Sequence, residues 1–288
     1  MKRQELRIRG TKMISLSRFG DILALLLITC LLIIATVGCS SSDSVRYAQN
    51  PVAERETLTQ VSTIDALLAG VYDGVISCGQ LKEYGDFGIG TFEALDGEMI
   101  VLEGEIYQVK ADGVAYQVPD SLGVPFAAVT FFDSDYKETL SSSIDYAGFQ
   151  IRMDDIIPSK NIFFAMKLDG SFSYVKTRSV PKQEKPYPVL AEVAERQPVF
   201  EFNNVTGTII GFRCPDYVEG INVPGYHLHF LTSDGKAGGH VLKFTVQQAV
   251  IAIDYTSGFL MVLPGGESDF HKLDLSQDKQ SELEKVEK

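Results

Sequence analysis

Basic residues are scarce in this chain. Its 26 Lys and Arg stand against 38 Asp and Glu, for a formal net charge of −12. That balance excludes nucleic acid as the expected partner, because neutralising phosphates takes a basic surface. Tryptophan is absent, so Phe and Tyr supply the aromatic mass. There are four cysteines. Cys30 lies in an apolar run and Cys39 closes it, which leaves only Cys78 and Cys214 in the body of the chain. A disulfide between those two and a pair of buried thiols are both compatible with the sequence. Histidine is equally rare, with four residues, and three of them crowd into GYHLHFLTSDGKAGGHVL, Gly225 to Leu242.

What is present is otherwise ordinary. The 288 residues are 45% hydrophobic and 22% charged, enough for one large domain or two small ones with a sizeable core. The first 38 residues stand apart. Six bases and one acid precede Gly20, and Ile22 to Val37 is an uncharged apolar run. The run is short for a bilayer-spanning helix and has the length of a signal-peptide core. It ends in Thr36-Val37-Gly38-Cys39 followed by SSSDS, which resembles a bacterial lipoprotein signal. Residues 1–38 are therefore expected to be a signal peptide, with Cys39 lipidated and the mature chain anchored to the membrane outside the cytoplasm. A cleaved secretory signal is the alternative. Without the leader the net charge is −16, as suits a soluble exported domain.

Residues 39–57 read as a flexible tether. TIDALLAG, from Thr63, reads as a short helix with a Thr cap and a terminal Gly. Glycine-punctuated apolar runs with alternating, β-branched content then predict strands joined by tight turns. Asp133 to Gln150 is polar and fits a helix. Asn161 to Val180 predicts a hairpin turning at Asp169-Gly170. The proline-rich stretch from Pro181 to Pro188 is the best internal boundary, dividing an N-terminal β-rich domain (58–186) from a C-terminal metal-binding domain with a charged tail (187–288). The fold class is a β-rich α+β architecture: two sheet-containing domains, few helices, and a metal site on a β-hairpin of the C-terminal domain.

The metal reading comes from spacing. His227 and His229 are two apart, so on a strand both imidazoles share a face, opposite Tyr226, Leu228 and Phe230. Asp234-Gly235 is a two-residue hairpin signal, and with it as the turn His229 directly opposes His240. Opposed residues have Cβ atoms about 5 Å apart, with His227 as the diagonal neighbour. Three neutral imidazoles and an open fourth position describe a catalytic zinc site. Other divalent transition metals (Fe, Ni, Cu, Mn) are also compatible with imidazole.

Four stretches together resemble the acetolactate decarboxylase family: the histidine segment, GDFGIGTFEALDGEMIVLEGEIYQV (Gly85 to Val109), VKTRSVPKQEKPYPVL (Val175 to Leu190) and NVPGYHLHF. The resemblance runs from about Leu58 to the C-terminus. It implies zinc on His227, His229 and His240. It implies an active-site glutamate at Glu98 in LDGE, an arginine at Arg178 in KTR, and a tail glutamate, assigned to Glu287 in SELEKVEK, folding over the metal. It also implies a homodimer and metal-dependent decarboxylation of 2-acetolactate to acetoin and CO2. There the metal acts as a Lewis acid that stabilises an enediolate, Arg178 orients the carboxylate, and glutamate moves protons. The competing expectations are an inactive or non-catalytic metal-binding surface lipoprotein, and a cupin-like metalloenzyme in which Asp234 would supply the carboxylate that follows H-x-H.

Overall fold

A computed structural model describes residues 55–287. The leader, Cys39 and all but the last residues of the tether lie outside the described residues.

Fifteen strands and five short α-helices are described. In chain order the strands are β1 (Thr57–Val61), β2 (Ile76–Ser77), β3 (Phe87–Thr91), β4 (Glu98–Leu102), β5 (Glu105–Val109), β6 (Ala115–Gln117), β7 (Gly123–Val124) and β8 (Phe126–Thr130). They continue with β9 (Tyr136–Leu140), β10 (Ile144–Asp145), β11 (Phe163–Arg178), β12 (Val199–Cys214), β13 (Gly225–Thr232), β14 (Gly238–Thr256) and β15 (Gly258–Val262). The helices are α1 (Ile64–Leu68), α2 (Cys78–Leu81), α3 (Tyr146–Ile156), α4 (Leu190–Ala194) and α5 (Gln280–Glu287).

Two sheets dominate, as the β-rich reading expects. The first has seven strands in the order β15-β1-β8-β3-β4-β5-β6. The second runs β10-β14-β11-β12-β13, with β9 on β14, and β13 also pairs with β14. That last pairing closes β11, β12, β13 and β14 into a ring. The boundary expected at residues 186–187 falls between β11 and β12, which pair from Phe164↔Arg213 to Arg178↔Val199.

The sheets meet through a shared apolar cluster. Leu58, Ile89 and Ile100 of the first pack with Ala165, Ile210, Phe212 and Leu231 of the second. On β4 the alternation decides direction. Ile100 faces this cluster, whereas Met99 and Val101 face a core on the far side with Cys78 and Leu81. Both faces of β4 are thus covered, which is why MIVL reads as a continuous apolar run. On β13, Leu231 faces the first sheet, while Leu228 and Phe230 face a core closed by Phe149 and Met153 of α3. Ile64 and Leu68 of α1, Leu190 of α4, and Leu283 and Val286 of α5 form a further cluster.

Helix α1 forms as the sequence predicts, with the Thr63 hydroxyl accepting from the Ala66 N–H and Gly70 at φ +88°. Two expectations fail. Asp169-Gly170 makes no turn, because β11 runs straight through it. A Cβ on Gly170 would lie 2.1 Å from the Gln248 carbonyl oxygen, so the glycine serves close strand approach in a sheet interior. Asp133 to Gln150 is not one helix. It begins with edge strand β9, and only from Tyr146 does it become helical, capped by Asp145. Cys78 and Cys214 are both free and buried.

Candidate functional site

The β13–β14 hairpin sets the site. Its register pairs His229 with His240, as the Asp234-Gly235 turn predicts. Gly235 adopts φ +68°, and the Thr232 hydroxyl donates to the Asp234 carboxylate. Asp234 is thereby committed to the turn. On its other side β14 pairs with β11, and there His240 lies opposite Arg178. One row across the sheet therefore reads Arg178, His240, His229. His227 sits two residues along from His229 on the same face, the face of Leu231, toward the first sheet.

Two glycines let the strands approach this closely. A Cβ on Gly238 would stand 2.0 Å from the Phe230 carbonyl oxygen, and one on Gly239 2.4 Å from that of Arg178. Gly239 also has φ +131°, a conformation that L side chains rarely adopt.

The three imidazoles converge. One ring nitrogen from each lies within 4.8 Å of the others, and all three residues are buried. His229 Nδ1–H donates to the Met99 carbonyl at 2.7 Å. That bond leaves Nε2 as the lone-pair nitrogen, and Nε2 is buried without a partner, as is Nδ1 of His240. Burial drives all three toward the neutral form, His227 down to about 3 and the other two well below the ordinary range. Neutral, oriented imidazoles with orphaned nitrogens are what a divalent transition metal requires.

Three more side chains close the space. Glu98 shares its strand face with Ile100 and so points from the first sheet at the hairpin. Its Oε2 lies 3.6 Å from His229 Nε2, and Arg178 Nη1 donates to its Oε1 at 3.0 Å. Glu287 arrives on α5. Its Oε2 is 3.7 Å from Nε2 of both His227 and His240, and its Oε1 is 3.5 Å from Arg178 Nη2. Burial is the main force on Glu98, raising its carboxyl to about 7 against the pull of Arg178, with Glu287 adding to the rise. Glu287 is likewise raised by burial, with Arg178 opposing. Arg178 keeps one donor in reserve, since its Nε–H is buried and unpaired.

Glu98, Arg178, His227, His240 and Glu287 line a cavity of about 30 Å³, beside which His229 completes the imidazole cluster. Its other wall is apolar and includes Ile64, Leu67, Leu95, Phe126, Val180 and Leu190. Every residue singled out in the described sequence (Glu98, Arg178, His227, His229, His240, Glu287) is thus brought together. The apolar wall and the Met99 carbonyl were missed. Nothing in the sequence distinguishes those residues from ordinary core, and the carbonyl carries no side-chain signature at all.

The donor set is that of a three-histidine metal centre, carried between the two sheets with one position facing two carboxylates and an arginine. Comparison with known proteins narrows the class. The alpha-acetolactate decarboxylase family profile matches residues 58–277. An alpha-acetolactate decarboxylase of Methanosarcina mazei is 54% identical over 233 residues, 81% of each chain. One of Methylococcus capsulatus is 50% identical over 211 residues, 73% of this chain and 81% of that one. The crystal structure of alpha-acetolactate decarboxylase from Bacillus subtilis superposes with a TM-score of 0.78 at 39% identity, covering 80% of this chain and 99% of that one. The chain belongs to the alpha-acetolactate decarboxylase family, a family of carboxy-lyases. Glu287 lies beyond the matched segment, so its place at the site rests on the fold of α5.

Proposed function

We propose that this protein decarboxylates 2-acetolactate to acetoin and CO2, with zinc held by His227, His229 and His240. The observation that carries this reading is the cavity at which a three-imidazole donor set meets the buried Arg178 and the carboxylates of Glu98 and Glu287.

Acetolactate is a β-keto acid bearing a hydroxyl next to its ketone. Loss of CO2 breaks the bond between the carboxylate and the hydroxyl-bearing carbon, and the electron pair moves toward the ketone oxygen. A divalent ion in the histidine site supplies Lewis acidity for that developing charge. The protein's own groups do the rest. The unpaired Nε–H of Arg178, with Nη2 now weakly engaged at 3.5 Å, forms a two-donor edge for the substrate carboxylate. Arg178 orients the carboxylate so that the breaking bond overlaps the ketone π system. A tighter grip would favour the ground state and slow the reaction. Glu98 and Glu287 flank the same space from opposite elements and move the proton that the reacting carbon gains. The apolar wall receives the two methyl groups and excludes water. A cavity of about 30 Å³ holds little more than a water molecule, so substrate entry displaces Glu287 and the end of α5.

The leader supports a further part of the proposal: the protein is lipidated at Cys39 and anchored outside the cytoplasm. The family resemblance supports a homodimer.

The test uses a chain beginning at Ser40, supplied with racemic acetolactate and followed for acetoin and CO2. Acetoin formation that a chelator stops and zinc restores is the expected result. One bound metal per chain with no acetoin would overturn the substrate.

A further inference from the structure

A second cluster of acids lies away from the histidines. Glu56 just before β1, Asp135 just before β9 and Asp254 near the end of β14 each place a carboxylate oxygen within 4.8 Å of the others. Asp133 is close by, and its carboxylate is 3.9 Å from Arg55. Among the described residues, no lysine, arginine or histidine lies within 4 Å of the carboxylates of Glu56, Asp135 or Asp254. Surface acids often gather without consequence. Asp254 is what sets this cluster apart.

Asp254 is fully buried, at 0% exposure. Its strand neighbour is the fully buried Ala165, a member of the apolar cluster between the sheets. A carboxylate at the edge of such a core should be fully hydrogen-bonded. Instead only Oδ2 has a partner, the Asp133 N–H at 3.2 Å, while Oδ1 is buried and unpaired. Two residues on, on the same strand face, the Thr256 hydroxyl is also buried and unpaired. Burial, together with Glu56, Asp135 and Asp133, makes ionisation of Asp254 costly, and one backbone donor offsets only part of that. Fixed opposite charge is the missing component.

We propose that Glu56, Asp135 and Asp254 form a calcium site that ties the start of β1 in the first sheet to β9 and β14 in the second. All three donors are carboxylates, which select hard cations over the softer metals that imidazole prefers. Carboxylate oxygens within 4.8 Å of one another can share one hard divalent ion, and a set drawn from three separate segments suits calcium, which takes six to eight ligands in flexible geometry, better than magnesium, which demands a near-ideal octahedron. The ion's outer side faces solvent across the exposed Asp135, which leaves room for the waters that complete six to eight ligands. The site shares no donor with the three-histidine centre, although β14 contributes to both, His240 near its start and Asp254 near its end. Its role is to fix the entry of the chain into the first sheet.

The test uses the full-length chain in detergent with zinc already supplied. Terbium serves as a luminescent stand-in for calcium, sensitised by tyrosine. Tyr255 lends its backbone N–H to Asp135, and the absence of tryptophan keeps the excitation clean. Saturable emission at one terbium per chain, displaced by micromolar to millimolar calcium, is expected, with a melting temperature raised several degrees by calcium. Asp254→Asn and Asp135→Asn should each weaken binding at least tenfold and remove the calcium-dependent shift. Asp135 is exposed, so its variant folds whatever Asp254→Asn does. His229→Ala should leave terbium binding intact. No saturable binding by about 10 mM calcium, or binding unchanged in both Asp variants, overturns the site.

Discussion

Replacing Gly239 with alanine tests whether strand register builds the metal site. The new Cβ would stand 2.4 Å from the Arg178 carbonyl oxygen, against the 3.4 Å at which ordinary contact begins, so β14 and β11 must part by about 1 Å. Thr177 blocks the way around, with its side chain 3.2 Å from the same point. The backbone adds to the clash, because φ +131° is strained for any side chain. That strain alone costs about 1–3 kcal/mol, and with the overlap the total should be about 2–4 kcal/mol.

The displacement falls at a sensitive point. His240 is adjacent to Gly239 and is the middle of the Arg178–His240–His229 row. Moving it loosens the donor geometry, for which a loss of about 10- to 100-fold in zinc affinity is expected, the range seen when ligand-orienting contacts are removed. Urea unfolding with chelator present measures the stability loss free of metal linkage. Competition against a zinc indicator measures the affinity. Gly265→Ala is the control, since its Cβ meets nothing within 4 Å, and it should change stability by no more than about 0.5 kcal/mol. Unchanged unfolding and unchanged zinc affinity in Gly239→Ala would refute the claim that the glycine pair sets the approach of these strands.

Three further outcomes are expected. Arg178→Lys should retain one zinc per chain but lose on the order of 100-fold or more in turnover, because a point charge cannot reproduce a planar two-donor edge; metal analysis beside steady-state kinetics checks both halves, and normal kinetics would end the orienting role. Truncation after Lys279 removes Glu287 together with the buried Leu283 and Val286, whose burial is worth about 1.5–3 kcal/mol each; zinc binding should survive while acetoin formation collapses, and retained activity would place the proton chemistry entirely on Glu98. In a chain beginning at Ser40 the thiols of Cys78 and Cys214, pushed by burial up to about 11 and about 12, should resist alkylation at pH 8 until urea unfolds the protein. Rapid labelling of the native chain would show that at least one is accessible.

How far the sequence could be read depended on how local each decision was. The histidine hairpin was legible because everything that fixes it lies within Gly225 to Leu242: a two-residue repeat that puts imidazoles on one face, and an Asp-Gly turn that sets the register. Asp169-Gly170 carries the same dipeptide and makes no turn. The difference is tertiary. β12 and β14 flank β11 on both sides there, and a strand with two neighbours needs glycine for clearance where a hairpin needs it for positive φ. No local pattern separates those uses. The pairing of Arg178 with His240 was equally invisible, since it depends on two long strands with three irregularities in their register. The resemblance named both residues without explaining why they meet.

Glu287 shows the intermediate case. Its helix is short and half of its residues are charged, and the matched family segment stops at residue 277. Yet SELEKVE holds Leu283 and Val286, three apart and therefore on one helical face. Both are buried, against a cluster that includes Ile64 and Leu190. Two apolar side chains cannot hold an isolated eight-residue helix in water, so the helix forms only when docked. Docking turns the next residue, Glu287, into the cavity, within 3.7 Å of two imidazoles. The carboxylate's position is thus purchased by modest apolar burial on a marginal element. Such an element can release and re-form at low cost, which a cavity of about 30 Å³ demands of whatever covers it.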